Sequence, residues 1–158
     1  DTEVVRFNGI KFEKIGNRWE AKINGVNAAF TFLPDDVSSI PVNGSFSSIL
    51  QGKYEIDTTY EHNSSLAPAI ALAQHQLSLT LSNYRIFVRN GFTTNSSFNV
   101  PIITCNMSSA YVPVIYFKYG NSTRIDFDNN CIIAEASSNV DFVRVKDRML
   151  YEMLGVVK

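Results

Sequence analysis

The stretch that decides the fold reads VPVIYFKYGNSTRIDFDNNCIIAEASSNVDFVRVKDRMLYEMLG and spans residues 112–155. Its first eight residues are almost continuously apolar, which is typical of a strand that is covered on both faces. The pair Gly120-Asn121 favours a turn, so we expect a hairpin into an alternating strand at residues 123–127. A second turn at residues 128–130 then leads into another buried strand at residues 131–136.

The same stretch ends in a well-capped helix, which we predict over residues 139–154. Ser138 or Asn139 is placed to cap its N-terminus, and Gly155 lies where helices commonly end. Its apolar residues share one face, which predicts that the helix lies on the sheet formed by residues 112–136. Its polar residues are expected to point away into solvent: Arg144, Asp147, Arg148 and Glu152.

The start of the chain, residues 1–33, predicts a β-meander. Asn8-Gly9, Gly16-Asn17 and Asn24-Gly25 separate four short runs at hairpin spacing, and such pairs are strong turn signals. Trp19 lies within the third run, where packing against Phe12 or Phe30 is its ordinary role and a sugar-stacking platform is the alternative.

The middle of the chain predicts a β-α-β crossover. After an irregular loop at residues 33–52 with at most one helical turn, alternating residues at 53–59 indicate a strand. Residues 66–83 carry one apolar stripe and a proline in the first turn, which indicates a helix. Strands at residues 85–89 and 101–104 follow.

Together these elements predict one α+β domain over residues 1–158, with a sheet and its helices at residues 53–155. The N-terminal β-meander is expected to pack on a mixed β-sheet or to be continuous with it, and two helices cover one face of that sheet. A chain of 158 residues with 45% hydrophobic residues can bury a core of this size.

Cys105 and Cys131 are the only cysteines, and a disulfide between them is the economical interpretation. Two buried, reduced thiols in a cytosolic protein are the alternative. A metal site is disfavoured, because no CxxC pair and no nearby histidine accompanies either cysteine.

Candidate N-glycosylation sites support an oxidising, extracytoplasmic compartment. With 15 Asn and 25 Ser or Thr in 158 residues, about two or three acceptor triplets would arise by chance. The chain has five, and most of them fall in predicted loops or turns. The acceptor residues are Asn43, Asn63, Asn95, Asn106 and Asn121.

Charge and hydropathy exclude several classes of function. A formal net charge of −1 without a run of Lys or Arg argues against nucleic-acid binding and polybasic membrane contact. No apolar run approaches the length of a membrane span, so we expect no direct membrane insertion by this segment. The chain begins at Asp1 without an initiator Met, and we expect a preceding segment that tethers the domain.

No residues form a catalytic or cofactor-binding pattern, so we predict no catalytic residues and no cofactor. His62 and His75 lack an acid or cysteine at a spacing that would orient them, which indicates ordinary surface histidines. Asp126 and Asp128 begin a calcium-loop pattern, but Cys131 stands at the position that requires glycine. Asp35-Asp36 and Glu135 could supply a pair of carboxylates, whose separation depends on the fold.

The segments TCN, VPVIYFKYGNSTRI, NNCIIAEA and DFVRVKDRMLYEMLG, with FNGIKF and RWEAKI near the start, resemble a group of uncharacterised archaeal proteins. Those proteins have one N-terminal membrane span and an extracytoplasmic domain. The resemblance covers nearly the whole chain and implies a surface location and an upstream anchor. The order of hairpin, strand and helix is also similar to the small non-catalytic α+β domain that precedes some glycoside hydrolase barrels.

The leading functional hypothesis is a non-enzymatic cell-surface domain that binds or scaffolds envelope components, either a protein or a glycan. One alternative is a subunit of an extracellular filament, in which residues 2–7 pair with a neighbour's sheet edge. Self-association is part of that alternative. The other alternative is a carbohydrate-binding module that uses Trp19 and nearby tyrosines.

Overall fold

A computed structural model describes residues 2–157. The ends of the predicted 1–158 domain, Asp1 and Lys158, therefore lie outside the described residues. The chain opens with an antiparallel meander, as predicted, and Asn8-Gly9 and Asn24-Gly25 have the positive φ angles that two-residue hairpin turns require. Its strands are β1 (Val4–Phe7), β2 (Ile10–Ile15), β3 (Arg18–Ile23) and β4 (Val26–Phe30).

A mixed six-stranded sheet forms the second layer, with the strand order β5-β9-β10-β8-β6-β7. Strands β7, β6, β8 and β10 are parallel neighbours, whereas β9 runs antiparallel to β10. The short strand β5 pairs with β9 in parallel. The strands are β5 (Val42–Asn43), β6 (Glu55–Tyr60), β7 (Phe87–Phe92), β8 (Val114–Tyr119), β9 (Arg124–Asp128) and β10 (Cys131–Ala136).

Two helices match the predicted helices closely: α1 (Ala67–Asn83) joins β6 to β7, and α2 (Asn139–Met153) follows β10. Ser138 caps α2, because its side-chain oxygen accepts a hydrogen bond from the Asp141 N–H at 3.2 Å. Gly155 takes a φ of 76° directly after the helix, as expected of a C-terminal glycine.

The helices form a middle layer between the two sheets. Both α1 and α2 contact the six-stranded sheet, and α1 also contacts β4 of the meander. On the other side of α2, the Tyr151 ring stacks on Phe30 at 4.3 Å and meets Phe12 edge-on at 6.1 Å. Buried residues from both sheets and both helices therefore form one continuous core.

The segment at residues 93–113 crosses the face of the six-stranded sheet that carries no helix. Cys105 and Cys131 form a disulfide there, with a Cα–Cα distance of 5.3 Å, which confirms the predicted bond. Ile103 packs with Val114 and Cys131 in a small second core, and the Thr59 hydroxyl donates to the Ile103 carbonyl at 2.7 Å. The segment is thus fixed to the sheet by both covalent and packing contacts.

Two strand predictions differ from the structure. The expected hairpin between β8 and β9 is wrong, because β10 lies between them and pairs with both. The apolar β10 buries both its faces best at the centre of the sheet, and this central position displaces β9 from β8. The predicted strand at residues 101–104 is reduced to one bridge between Ile102 and Phe92.

The expected solvated face of α2 is also wrong. The meander and the short 3-10 helix Pro34–Val37 cover it, so the helix is buried on two sides. Arg148 donates to the Val37 carbonyl at 2.8 Å, and Arg144 donates to the Asp36 carbonyl at 3.0 Å. Asp147 is fully buried. A second sheet packed on the helices was not deducible from the periodicity of α2 alone.

Candidate ligand-binding site

A buried ion pair lies where α2 meets the meander. Lys146 is only 1% exposed, and its ammonium donates to Asp147 Oδ1 at 2.5 Å. The other carboxylate oxygen of Asp147 accepts hydrogen bonds from the Thr31 N–H at 2.9 Å and the Phe32 N–H at 2.8 Å. Asp147 therefore fixes both the lysine and the chain that leaves β4.

Burial raises the pKa of the Asp147 carboxyl, because a charged group loses its hydration in the core. The Lys146 ammonium and the two backbone N–H groups oppose this rise. The Asp147 carboxylate accepts three hydrogen bonds, and the Lys146 ammonium lies beside it. The two side chains therefore form a neutral ion pair in an otherwise apolar region.

A cavity of about 270 Å³ lies beside this ion pair, between the edge of β4 and the side of α1. The apolar part of its wall includes Leu72 and Leu79, which are 48% and 56% exposed and stand at its mouth. The other residues that line it are Arg18, Ala29, Phe30, Thr31, His75, Gln76, Thr80 and Lys146. We call this cavity the β4–α1 pocket.

Two polar groups in the β4–α1 pocket have unused hydrogen-bonding capacity. Gln76 Oε1 is buried and accepts no hydrogen bond from any group in residues 2–157. The Lys146 ammonium has three protons, and Asp147 Oδ1 is its one acceptor in the same described range. Buried polar groups are nearly always paired in folded proteins, so an unpaired acceptor and a spare donor in one cavity indicate a place for a ligand.

The β4–α1 pocket carries no net charge. Lys146 is balanced by Asp147, and Arg18 at the rim is balanced by Glu20 at 2.7 Å. A mostly apolar lining with a few polar groups and no net charge is suited to a ligand that is itself uncharged. The geometry therefore favours a neutral group that both donates and accepts hydrogen bonds.

The structure places the five predicted glycosylation sites at the surface. Their asparagines are exposed, and all lie on the six-stranded sheet or its loops, none on the meander. Asn43 differs from the others, because its side-chain amide donates to Asp126 Oδ1 at 2.8 Å. Of the remaining four, Asn63, Asn95 and Asn121 lie in turns or loops, and Asn106 lies in the short 3-10 helix Cys105–Met107.

The other residues singled out in the sequence do not form a common site. Trp19 pairs with Phe30 and is 8% exposed, and the Lys14 ammonium lies 5.8 Å from its ring centre. Its ordinary packing role is therefore the observed one, and no open ring face is left for a sugar. His62 contacts the Asn95 carbonyl at 3.1 Å in a loop, while His75 lies at the β4–α1 pocket.

The candidate carboxylates also serve separate local contacts. Asp36 accepts from the Leu33 N–H at 3.1 Å, whereas Glu135 accepts from the Ser122 N–H at 3.1 Å. Hydrogen bonds from Arg124 and from Asn43 lower the pKa of Asp126. Residues 2–157 contain no group of three or more side chains that could hold a metal ion.

A charged cluster on the sheet face without helices is the other notable polar group. Arg89 lies 2.7 Å from Asp57 and 3.7 Å from Glu55. A hydrogen bond with Asp57, followed by partial burial, raises the pKa of Glu55. One arginine thus holds two carboxylates, and the cluster needs no ligand to satisfy it.

Sequence reasoning missed the residues of the β4–α1 pocket. Gln76 and Lys146 lie on two helices 70 positions apart and have no motif in common. One signal in the sequence could have indicated the buried ion pair. Lys146 follows Val145 on the apolar side of α2, and a lysine there can form a buried ion pair with the adjacent Asp147.

No helix within residues 2–157 has both the length and the apolar character that a membrane crossing requires. Comparison with protein-family models, curated proteins and solved structures gave no match for this chain.

Proposed function

We propose that this chain is a non-enzymatic extracytoplasmic domain that binds an uncharged ligand in the β4–α1 pocket. The observation that carries the proposal is the unpaired acceptor Gln76 Oε1, together with the spare protons of the Lys146 ammonium, in a cavity with an apolar mouth. A buried acceptor without a partner costs about 1 to 3 kcal/mol. A ligand that supplies the missing donor removes that cost only when it is bound.

Location outside the cytoplasm is supported by the disulfide and by five exposed asparagines in glycosylation triplets. The resemblance to archaeal surface proteins agrees with both. We infer a domain that is tethered at the cell surface and takes its ligand from the envelope or the medium. The meander, which forms one border of the pocket, carries none of the five glycosylation triplets.

Blocking the pocket tests the proposal. Both native cysteines are in the disulfide, so Leu79→Cys adds a single reactive thiol at the pocket mouth. A library of small uncharged compounds is screened by ligand-observed NMR against this variant before and after it reacts with a bulky maleimide. We expect hits that bind the free thiol form and are lost on labelling.

The matched control is Ala110→Cys, which lies exposed in the segment over the opposite sheet face. Labelling at this position should leave the hits unchanged. If hits persist equally with both labelled proteins, they bind elsewhere and the proposed function is wrong.

A further inference from the structure

Strand β4 is an edge strand, and its backbone faces the β4–α1 pocket. It follows β3 through the two-residue turn Asn24-Gly25, so Ile23 and Val26 form the hydrogen-bonded pair that closes the hairpin. Hydrogen-bonded and non-hydrogen-bonded pairs alternate along an antiparallel ladder. The N–H and C=O groups of residues 27, 29 and 31 are therefore directed away from β3, towards the open edge.

Contacts of the flanking residues agree with this direction. The Asn27 carbonyl accepts from the Asn83 side chain at 3.2 Å, and the Thr31 N–H donates to Asp147 at 2.9 Å. Ala29 lies between them and pairs with no group of residues 2–157 beyond the strand. Because Ala29 also lines the pocket, the cavity contains a free backbone donor and a free backbone acceptor.

We propose that the occupant of the β4–α1 pocket is an extended, uncharged peptide segment of another molecule, which adds to β4 as a further strand. The proposal rests on the function proposed above and names its ligand class. A peptide strand offers one C=O and one N–H that can pair with the free N–H and C=O of Ala29. Strand addition at a sheet edge is a common mode of peptide recognition.

The opposite wall of the pocket fits the other edge of such a strand. Gln76 Oε1 needs a donor and Lys146 needs an acceptor, and the outer N–H and C=O groups of an added strand supply both. Leu72 and Leu79 stand where an apolar side chain of the peptide enters. The balanced charges of Lys146 and Arg18 leave no attraction for a charged ligand.

A second hollow continues this surface past Leu72. It has a volume of about 440 Å³ and lies between the first turns of α1 and α2. Its wall is mostly apolar, with Val140 and Val143 on the α2 side. A peptide of three or more residues therefore has room for a second apolar side chain beyond the β4–α1 pocket.

The test uses acetyl-Thr-Leu-Thr-amide, which is uncharged and favours an extended backbone, with the full chain labelled for NMR. We expect the Ala29 amide to shift downfield and to exchange more slowly with solvent when the peptide binds. The amide of exposed Ala110 should not change. Two further peptides carry an N-methyl group, one on the leucine and one on the first threonine.

Each methyl group removes one donor, and adjacent N–H groups of a strand point to opposite sides. We expect each methylation to weaken binding about tenfold, the effect of losing one good hydrogen bond. In Gln76→Leu, one of the two methylations should no longer matter, because the acceptor for that N–H is gone. This pattern would distinguish binding through backbone hydrogen bonds from binding through burial of the leucine side chain alone.

The peptide class is overturned if the parent peptide leaves Ala29 unchanged, or if both methylated peptides bind as well as the parent. If another uncharged ligand still binds and is blocked by the label at position 79, only the ligand class fails. If the label blocks nothing, the proposed function fails as well.

Discussion

At the scale of single residues, Asp147 is the residue whose hydrogen bonds contribute most to the stability of the fold. Its carboxylate accepts from Lys146, Thr31 and Phe32, and it is fully buried. Removal of a charged partner from such a site leaves the other charge buried without compensation, which is far more unfavourable than loss of a surface ion pair. The same residue joins α2 to the meander.

We predict that Asp147→Ala lowers the free energy of unfolding by about 3 to 5 kcal/mol, because Lys146 and two backbone donors lose their acceptor. Urea unfolding followed by circular dichroism measures the change. Asp35→Ala is the matched control, since Asp35 is exposed, and its effect should stay within about 0.5 kcal/mol. A loss below about 1 kcal/mol for Asp147→Ala would contradict the buried pair.

Asp141 shows the opposite electrostatic balance at the start of α2. Burial alone would raise its pKa, but hydrogen bonds from Arg144, Thr123 and Ser138 outweigh burial and lower the pKa. A carboxyl with a lowered pKa in the folded state contributes stability above its unfolded pKa of about 3.9. That contribution is lost as the pH falls through the folded pKa.

Asp141→Asn should therefore destabilise the protein at pH 7, and its effect should be smaller at pH 2, because the charge of the wild-type carboxyl is lost as the pH falls through the folded pKa. Urea unfolding of both proteins across this range measures the difference. An equal loss at both pH values would show that shape, not charge, explains the role of Asp141.

At the scale of elements, α2 is the helix that both sheets share. Its Leu150 is fully buried, and the neighbouring Tyr151 stacks on Phe30 of the meander. A helix covered on two sides stabilises the fold mainly through packing and only slightly through intrinsic propensity.

Leu150→Ala should lower the free energy of unfolding by about 2 to 5 kcal/mol, because a large side chain is removed from a packed core. Val140→Ala, on the exposed side of the same helix, is the control and should change stability by less than about 0.5 kcal/mol. A chain that ends before Asn139 should not fold at all, since it lacks α2 and with it half of the middle layer. Soluble, cooperatively folding truncated protein would contradict this role of α2.

At the scale of the whole molecule, the disulfide fixes the segment at residues 93–113 to the sheet face without helices. The bond spans a sequence separation of 26 and is accompanied by only a small second core. Cross-links of this kind stabilise a fold chiefly by restricting the unfolded chain.

We expect the intact mass of the protein to be lower than that of the reduced chain by two hydrogen atoms. Replacing both residues, Cys105→Ala with Cys131→Ala, should reduce stability by about 2 to 5 kcal/mol. Thiols that titrate in the denatured wild-type protein without reductant would contradict the bond.

The amino-acid sequence by itself determined the local elements and their ends. The meander follows from Asn-Gly turns at hairpin spacing, and α2 follows from a Ser138 cap and Gly155, because caps and turns depend on residues within a few positions. The disulfide was also predictable, since the chain has only Cys105 and Cys131 to join.

Only the tertiary structure decided which strands are neighbours and what covers each helix. Three features bring together residues that are far apart in sequence. They are the position of β10 between β8 and β9, the burial of Asp147, and the pocket that Ala29, Gln76 and Lys146 line together. Such contacts depend on how whole layers bury their apolar faces together. Periodicity reports one apolar face of α2, but it cannot show that a second sheet packs against the polar side of the same helix.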